Sequence, residues 1–413
     1  MNEHNRTQKI LQRIEELSFF SEDKQGLTRT FGSAALRDAG GKVLCWMKEA
    51  GLETRIDNIG NVRGRWNCNE QGAKTLVVAS HIDTVIHAGK FDGPLGVIIG
   101  LDLVEEIKRS KTLLPFHIEL IAFSDEEGIR FHTTYLGSKV VAGIFDAELL
   151  LQKDPTGKTV LEVVEEMGGN AGQLMTDAIP RDEWLGYFEV HIEQGPVLYE
   201  KNIPVSLVTA IAGQKRIEIR FTGEAGHAGT VPMPMRRDAL CCAAECILQA
   251  EKLALESGDK LVITIGKLYI ENAASNVIAG EVVCSLDLRS NDAQFLETAY
   301  QHCKTAWEAV GNKRNIALAW NLVQENTPVA CDEAMNRCLA LAIGDAGHAC
   351  LSLVSGAGHD AVPISAIAPV CMLFVRCYKG ISHHPLENVE AGDIEAAIQV
   401  VERFIHYLKI KND

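Results

Sequence analysis

Short apolar runs of strand length alternate with helical patterns through the first half of this 413-residue chain. The runs at 75–80 (TLVVAS) and 117–124 (HIELIAFS) predict buried strands, and residues 34–50 and 95–108 have helical periodicity. A chain that alternates in this way is expected to form a largely parallel sheet covered by helices. Such sheets bind ligands beyond the carboxyl ends of their strands. The pattern therefore predicts an α/β protein with a site at one edge of its sheet.

The pattern changes near Gly213, where short strands are mixed with two long helical segments. Strands are predicted at 216–221, 260–268, 281–289 and 315–322, and helices at 237–255 and 291–310. This order of strand, helix, strand, strand, helix, strand is typical of a compact α+β sandwich. After Pro328 the earlier alternation returns. We therefore predict a main domain formed by residues 1–211 and 328–413, with an inserted domain at 212–327.

Composition limits the possible classes of function. Apolar residues make up 46% of the chain and charged residues 23%, as is usual for a folded globular protein. The formal net charge of −15 argues against nucleic-acid binding, which needs clustered Lys and Arg. The N-terminal segment lacks the apolar core of a signal peptide, and no run of about 18 apolar residues occurs. We expect a cytoplasmic protein with a small-molecule substrate and no nucleic-acid or membrane partner.

Twelve cysteines are present, and their spacing does not indicate a disulfide framework. None of them forms a CxxC pair, which argues against a zinc ribbon or a thioredoxin-type redox site. Cys241, Cys242 and Cys246 fall in a helical pattern. We expect reduced, buried thiols.

Five residues could together bind two metal ions. His81 follows one predicted strand, Asp92 lies in the Gly-rich loop after it, and Glu127 follows the next strand. His191 ends a third strand pattern, and His383 lies in a loop bounded by Pro385. A set of His, Asp and Glu ligands suits Zn²⁺ or Mn²⁺ better than Mg²⁺. Two such ions can activate water at neutral pH, and this chain carries no GxSxG motif for a serine nucleophile.

Several of these residues also have a purely structural interpretation. Asp92 could cap the helix that follows it, and Glu126 with Glu127 could form a solvated acidic turn. A single histidine at a strand end, such as His191, is often a hydrogen-bonded structural residue. His359, in a glycine-rich loop, is a further candidate because loops held by a rigid scaffold often carry function.

Two more carboxylates fit supporting roles. A histidine that binds a metal usually donates its other ring N–H to a carboxylate, and Asp83 is positioned in the sequence to accept from His81. Adjacent carboxylates repel each other unless a metal ion or a proton intervenes. Of Glu126 and Glu127, one could therefore bind an ion while the other transfers protons.

Nine ordered motifs, from about residue 27 to about residue 408, resemble the amidase and carbamoylase branch of the dinuclear aminopeptidase-type superfamily: SHIDT, FDGPLGV, DEEGIRF, HIEQGPVL, GHAGTVPM, NVIAG, SLDLR, SGAGHDA and GISHHP. This branch contains allantoate amidohydrolases (allantoate deiminases), N-carbamoyl-L-amino-acid hydrolases, β-alanine synthases and ureidoglycolate amidohydrolases. The resemblance implies an aminopeptidase-like catalytic domain, with a mixed, mostly parallel sheet flanked by helices. It also implies that the inserted domain serves as a lid and for dimerisation.

The resemblance implies a role for each candidate residue. One metal ion would be held by His81, Asp92 and His191, and the other by Asp92, Glu127 and His383. His384 directly follows His383, so either imidazole could be the ligand, and the offset within the motif favours His383. Catalytic and substrate-binding roles are also implied: Glu126 as general base, Asp83 orienting His81, His227 stabilising the oxyanion, Asn276 and Arg289 holding a substrate carboxylate, Gln214 contacting the substrate, and His359 lining the pocket.

The implied reaction is hydrolysis of the ureido C–N bond of allantoate in purine nitrogen catabolism. Its products would be ureidoglycine, ammonia and CO₂, with ureidoglycolate formed downstream. An N-carbamoyl-L-amino-acid hydrolase is an open alternative, because it shares every metal residue. A third possible function is that of a non-catalytic protein that binds metal or ureide, although such a protein has no use for Glu126 as a proton shuttle. The resemblance also implies a homodimer with two divalent ions per subunit, Mn²⁺ first and Zn²⁺ or Co²⁺ as alternatives.

Overall fold

The computed structural model describes residues 3–412, which form two compact units. The larger unit contains residues 3–209 and 331–412, and the smaller unit is Ala210–Ala330. The predicted inserted domain, 212–327, lies within the smaller unit. Its use as a lid and for dimerisation stays a prediction.

The secondary structure alternates along the larger unit and is richer in strands in the smaller one. The strands are β1 (Glu53–Ile56), β2 (Val62–Trp66), β3 (Thr75–His81), β4 (His117–Phe123), β5 (Trp184–Ile192), β6 (Val205–Ile211), β7 (Gly213–Thr222), β8 (Gly226–His227), β9 (Val262–Thr264), β10 (Leu268–Ile270), β11 (Val277–Ile278), β12 (Glu281–Ser290), β13 (Ala317–Asn326), β14 (Val329–Ala330), β15 (Ser352–Ser355) and β16 (Val370–Val375). The α-helices are α1 (Glu3–Ser18), α2 (Ala34–Glu49), α3 (Pro94–Ser110), α4 (Leu136–Val141), α5 (Val160–Glu166), α6 (Val197–Lys201), α7 (Ala239–Glu256), α8 (Ala293–Arg314), α9 (Glu333–Asp345), α10 (Ala361–Ile364) and α11 (Ala391–Asn412).

A mixed sheet forms the centre of the larger unit. Its strands run in the order β1-β2-β4-β3-β5-β16-β6, and β15 also pairs with β6. The four central strands, β4, β3, β5 and β16, are mutually parallel. Every residue of β3 is buried, as expected for a central parallel strand covered on both faces. The predicted fold class, a mostly parallel sheet flanked by helices, is confirmed.

Helices bury their apolar sides against this sheet. α3 packs on β3 and β5, α11 packs on β16, and α1 packs on both of these helices. α3 begins with Pro94 at its first turn, where the missing N–H costs nothing. Its first eleven residues are all buried, which fixes the helix directly beside the strand ends that carry the candidate site.

The smaller unit has its own sheet and core. Strands β10, β12, β7 and β13 lie side by side in that order, and helices α7 and α8 pack on them. Along β7 the residues Ile217, Ile219 and Phe221 are buried, whereas Glu218 and Arg220 between them are exposed. This period of two places apolar residues on the face that the helices cover.

The single strand predicted at 260–268 is wrong in detail. Two short strands occur instead, β9 and β10, and both pair with β12. Between them the pairing shifts by one residue, and at this point the N–H of Lys267 donates to Oγ of Ser285 (3.0 Å). A side chain that replaces a backbone acceptor cannot be read from the alternation of apolar residues.

All twelve cysteines are free thiols. Eight of them are buried, as predicted, including Cys242 and Cys246, but Cys45, Cys241 and Cys350 are exposed and Cys68 is partly exposed. Among the described residues, none of the helices has the length and apolar character needed to span a membrane.

Candidate metal centre

Four parallel strands bring the predicted metal ligands to one edge of the larger sheet. His81 is the last residue of β3, Glu127 follows β4, and His191 is the next-to-last residue of β5. Asp92 lies in the loop between β3 and α3, and His383 lies in the loop after β16. Because the carboxyl ends of parallel strands share one edge, residues that are far apart in sequence meet there.

Asp92 lies at the centre of this cluster, and its two carboxylate oxygens face different histidines. Oδ1 is 3.1 Å from Nε2 of His191 and 3.8 Å from Nε2 of His81. Oδ2 is 3.1 Å from Nε2 of His383, which in turn is 3.7 Å from Oε1 of Glu127. Within each set of three residues the ligand atoms lie within 4.8 Å of one another. The cluster therefore offers two ligand sets that share Asp92, as a pair of ions about 3.5 to 4 Å apart requires.

The charges in the cluster also fit bound cations. Burial, followed by the charge of Glu127, raises the pKa of Glu126 well above its usual range. Burial and the charge of Asp92 do the same to the pKa of Glu127. Divalent ions would offset this repulsion and allow the carboxylates to ionise. The donor set and its electrostatics thus both suit divalent metal ions.

The structural alternatives for the acidic residues are wrong. Asp92 does not cap the following helix, since the N-cap of α3 is Gly93 and no side chain caps it. Glu126 is not part of a solvated turn, because only 8% of it is exposed. Both carboxylates face the interior of the cluster.

The imidazole that reaches Asp92 belongs to His383. His383 has a left-handed backbone (φ 55°), an uncommon conformation for a residue other than glycine. Nδ1 of His384 accepts a hydrogen bond from the N–H of Leu386 (3.1 Å), and this ring is exposed. The geometry therefore favours His383, and not His384, as the candidate ligand, a choice that the motif alone left open.

Asp83 supports the site differently from the prediction. Nδ1 of His81 is 3.1 Å from the backbone carbonyl oxygen of Asp83, whereas the carboxylate is farther away, at 3.5 Å. The carboxylate accepts hydrogen bonds from the N–H groups of Glu126 (3.0 Å) and Glu127 (3.1 Å). The carbonyl thus orients the imidazole, and the carboxylate ties the loop after β3 to the loop after β4.

His359 is buried against a predicted ligand. Its Nε2 is 2.7 Å from Oγ of Ser355, and its ring packs edge-on against His191 with 4.5 Å between ring centroids. Burial, followed by the charge of His191, lowers the pKa of His359 well below its usual value. Because only 1% of His359 is exposed, its predicted contact with substrate stays a prediction.

Two residues of the cluster were missed by the sequence analysis. Nε2 of Gln194 donates to Oδ2 of Asp92 (2.9 Å) and lies 3.2 Å from Nε2 of His383. Oγ of Ser382 donates to the same Asp92 oxygen (2.9 Å). Both lie within motifs that also carry a predicted ligand, HIEQG and GISHH, and this proximity is the only signal in the sequence. Their polar side chains have no pattern of their own.

In the smaller unit, two predicted substrate-binding residues lie on paired strands. Gln214 of β7 is directly opposite Arg289 of β12. Nε2 of Gln214 donates to Oδ2 of Asp287 (2.5 Å), and Arg289 donates to both carboxylate oxygens of Asp287 (3.0 and 3.2 Å). Arg216 also donates to Oδ2 of Asp287 (3.0 Å). Two guanidinium groups therefore share one carboxylate.

The other two predicted residues of the smaller unit also lie close together. Strands β8 and β11 form a small ribbon in which His227 is opposite Val277. The carbonyl oxygen of Asn276 accepts a hydrogen bond from the N–H of Ala228 (2.9 Å). The ribbon, which the sequence analysis did not predict, thus brings His227 and Asn276 together.

Comparison with known proteins identifies the family. Residues 77–407 match the family described as peptidase family M20/M25/M40. The chain belongs to this family. The resemblance predicted from the nine motifs is therefore confirmed.

The relatives of this chain include proteins named as a deiminase and as an amidohydrolase. The chain is 36% identical to "Allantoate deiminase 1" of Glycine max, over 93% of this chain and 86% of that protein. It is 35% identical to "N-carbamoyl-L-amino acid amidohydrolase" of Geobacillus stearothermophilus, over 95% and 96% of the two chains. A solved amidase of the hydantoinase/carbamoylase family from Burkholderia multivorans superposes with a TM-score of 0.90 at 30% identity, covering 98% of this chain and 97% of that chain.

Proposed function

We propose that this chain hydrolyses the ureido C–N bond of allantoate, leaving ureidoglycine and releasing ammonia and CO₂. The observation that carries the proposal is the cluster at the sheet edge, where Asp92 is shared by two ligand sets and Glu126 lies beside them. The name of the Glycine max relative supports allantoate as the substrate. The name of the Geobacillus stearothermophilus relative favours a second candidate, hydrolysis of an N-carbamoyl-L-amino acid.

The proposed mechanism assigns a task to each side chain of the cluster. Two divalent ions held by His81, Asp92, Glu127, His191 and His383 would activate water and polarise the ureido carbonyl, which resonance with two nitrogens makes unreactive. Glu126 takes the proton from the attacking water and delivers it to the leaving nitrogen. Asp83 keeps Glu126 in position by accepting its backbone N–H. Mn²⁺ is the proposed ion, with Zn²⁺ and Co²⁺ as alternatives that accept the same ligands.

Recognition of the substrate is proposed to rest on its carboxylate. Arg289 carries a planar guanidinium of the kind that forms bidentate contacts with carboxylates, although two of its nitrogens donate to Asp287 in this structure. Asn276 and Gln214 would add amide groups. The shared Asp287 keeps Gln214 and Arg289 in fixed orientations on adjacent strands. His227 is proposed to stabilise the negative charge that develops on the carbonyl oxygen. The proposal requires an anionic substrate.

Ammonia release from three compounds tests the substrate assignment. We expect the kcat/KM for allantoate to exceed that for N-carbamoyl-L-methionine. We expect the kcat/KM to fall sharply for the neutral amide of allantoate, because the charge-assisted hydrogen bonds between Arg289 and a carboxylate would be lost. An enzyme that cleaves N-carbamoyl-L-methionine and ignores allantoate would exclude the first candidate in favour of the second. Equal rates with the neutral amide would exclude carboxylate recognition.

A homodimer formed through the smaller unit is also proposed. Among the described residues, β13 pairs with β7 alone and is an edge strand of its sheet, with Leu322 49% and Val323 58% exposed. An exposed edge with apolar side chains favours association with another chain. Sedimentation velocity is expected to detect a species of twice 45.1 kDa, and Val323→Asp is expected to convert it to a single chain. A wild-type protein that sediments as a monomer would contradict the proposal. The cytoplasmic location stays a prediction.

A further inference from the structure

A buried glutamate, Glu387, lies behind the shared ligand of the metal centre. It belongs to the loop after β16 and is only 3% exposed. Its Oε1 accepts hydrogen bonds from two consecutive backbone N–H groups, those of Phe91 (2.7 Å) and Asp92 (3.0 Å). One carboxylate oxygen therefore fixes the backbone from which the Asp92 side chain projects.

The second oxygen of Glu387 reaches the same ligand by another route. Oγ of Ser382 lies 3.1 Å from Oε2 of Glu387 and 2.9 Å from Oδ2 of Asp92. A hydroxyl has one proton, so Ser382 donates to one carboxylate at a time and links the two. Asp92 is thus restrained through its backbone and through its carboxylate.

The loop before Asp92 is shaped to accept this glutamate. A Cβ atom added at Gly89 would overlap the Glu387 side chain. Glycine is therefore required for close approach at this position, because any larger residue would push the glutamate away from the N–H groups of Phe91 and Asp92. The loops that carry Asp92 and His383 are joined by this one buried side chain.

We infer that Glu387 is a positioning residue that sets the orientation of Asp92 for two metal ions at once. The inference rests on the proposed function in one respect, the role of Asp92 as the ligand shared by both ions. Glu387 is outside the two ligand sets and lies on the protein side of Asp92. Outer hydrogen-bond partners of a metal ligand typically change metal affinity by about 10- to 100-fold when they are removed.

Competition with a chelator tests this inference without any substrate. The full-length protein is loaded with Mn²⁺, exposed to increasing concentrations of chelator, and analysed for Mn²⁺ retained per chain. We expect Glu387→Ala to release both ions at about 10- to 100-fold lower chelator concentration than the wild type. Glu387→Gln should lie between the two, because its amide oxygen can still accept from Phe91 and Asp92 but is a neutral, weaker acceptor, and its nitrogen can only donate to Ser382. Glu390→Gln, at an exposed position of the same segment, is the control and should match the wild type.

The pattern of release separates positioning from a general loss of stability. Thermal unfolding of each variant is measured alongside, and a residue that only stabilises the fold would lower the melting temperature without changing metal release from the folded protein. Release of both ions from Glu387→Ala at the wild-type chelator concentration would overturn the inference. So would selective loss of one ion, as expected for a residue that acts on His383 alone. If Glu387→Ala does not fold, the comparison is made with Glu387→Gln.

A protein that retains two Mn²⁺ ions but does not hydrolyse allantoate would refute the proposed substrate and leave this inference standing.

Discussion

Replacing Glu126 with Gln is expected to lower kcat by about 10²- to 10⁴-fold, the usual contribution of a general acid–base residue. Gln has nearly the same shape as Glu but cannot accept and return a proton. Burial and the charge of Glu127 raise the pKa of Glu126, and bound divalent ions would counter this and leave the carboxylate able to accept a proton. Steady-state kinetics with allantoate, together with elemental analysis of bound metal, measures this expectation. Metal content is expected to stay at two ions per chain.

The neighbouring residue provides a matched control. Glu126 also belongs, with His81 and Glu127, to a third group of ligand atoms within 4.8 Å, so a role as ligand is a real alternative. Glu127→Gln makes the same exchange of a carboxylate for an amide in the adjacent side chain. It is expected to weaken the binding of one of the two ions. If Glu126→Gln lost metal, Glu126 would be a ligand instead of the base. If it kept near-normal kcat, another group would transfer the proton.

Replacing Asp92 with Asn is expected to remove both metal ions and with them all measurable turnover. Its two oxygens face different histidine groups, at 3.1 Å from His191 and 3.1 Å from His383. An amide supplies one neutral oxygen and a nitrogen that cannot bind a cation. Metal content after gel filtration and ammonia release from allantoate are the two measurements.

Two histidine variants test whether the loss of both ions is specific to Asp92. His383→Ala is expected to lose one ion and keep the other, because it contributes to one ligand set only. His384→Ala should keep both ions and normal activity, since its Nδ1 accepts from Leu386 and the residue belongs to neither ligand set. If Asp92→Asn kept one ion tightly, the carboxylate would not be shared. If His384→Ala lost an ion, the assignment of the adjacent histidines would be reversed.

The sequence predicted the larger unit well because its signals are local. Buried parallel strands appear as continuous apolar runs, and His81, Glu127 and His191 lie directly at their ends. Such positions can be recognised without knowledge of the strand order. The divided strand at β9 and β10 was not predictable, because it depends on a hydrogen bond between Lys267 and Ser285, which are 18 residues apart.

The sequence by itself determined the fold class, the family and the chemical types of the ligands, since strand periodicity and ordered motifs are local properties of the chain. Only the tertiary structure decided which atoms meet. It placed His383, and not His384, beside Asp92. It also placed the Asp83 carboxylate against the backbone of Glu126 and brought Glu387 to the backbone of Asp92, 295 residues away in sequence. Hydrogen bonds between distant loops depend on the direction of each side chain, and that direction is fixed only when the strands have assembled. Asp92 could thus be proposed as a shared ligand from the sequence, whereas the groups that hold it in place could not be found there.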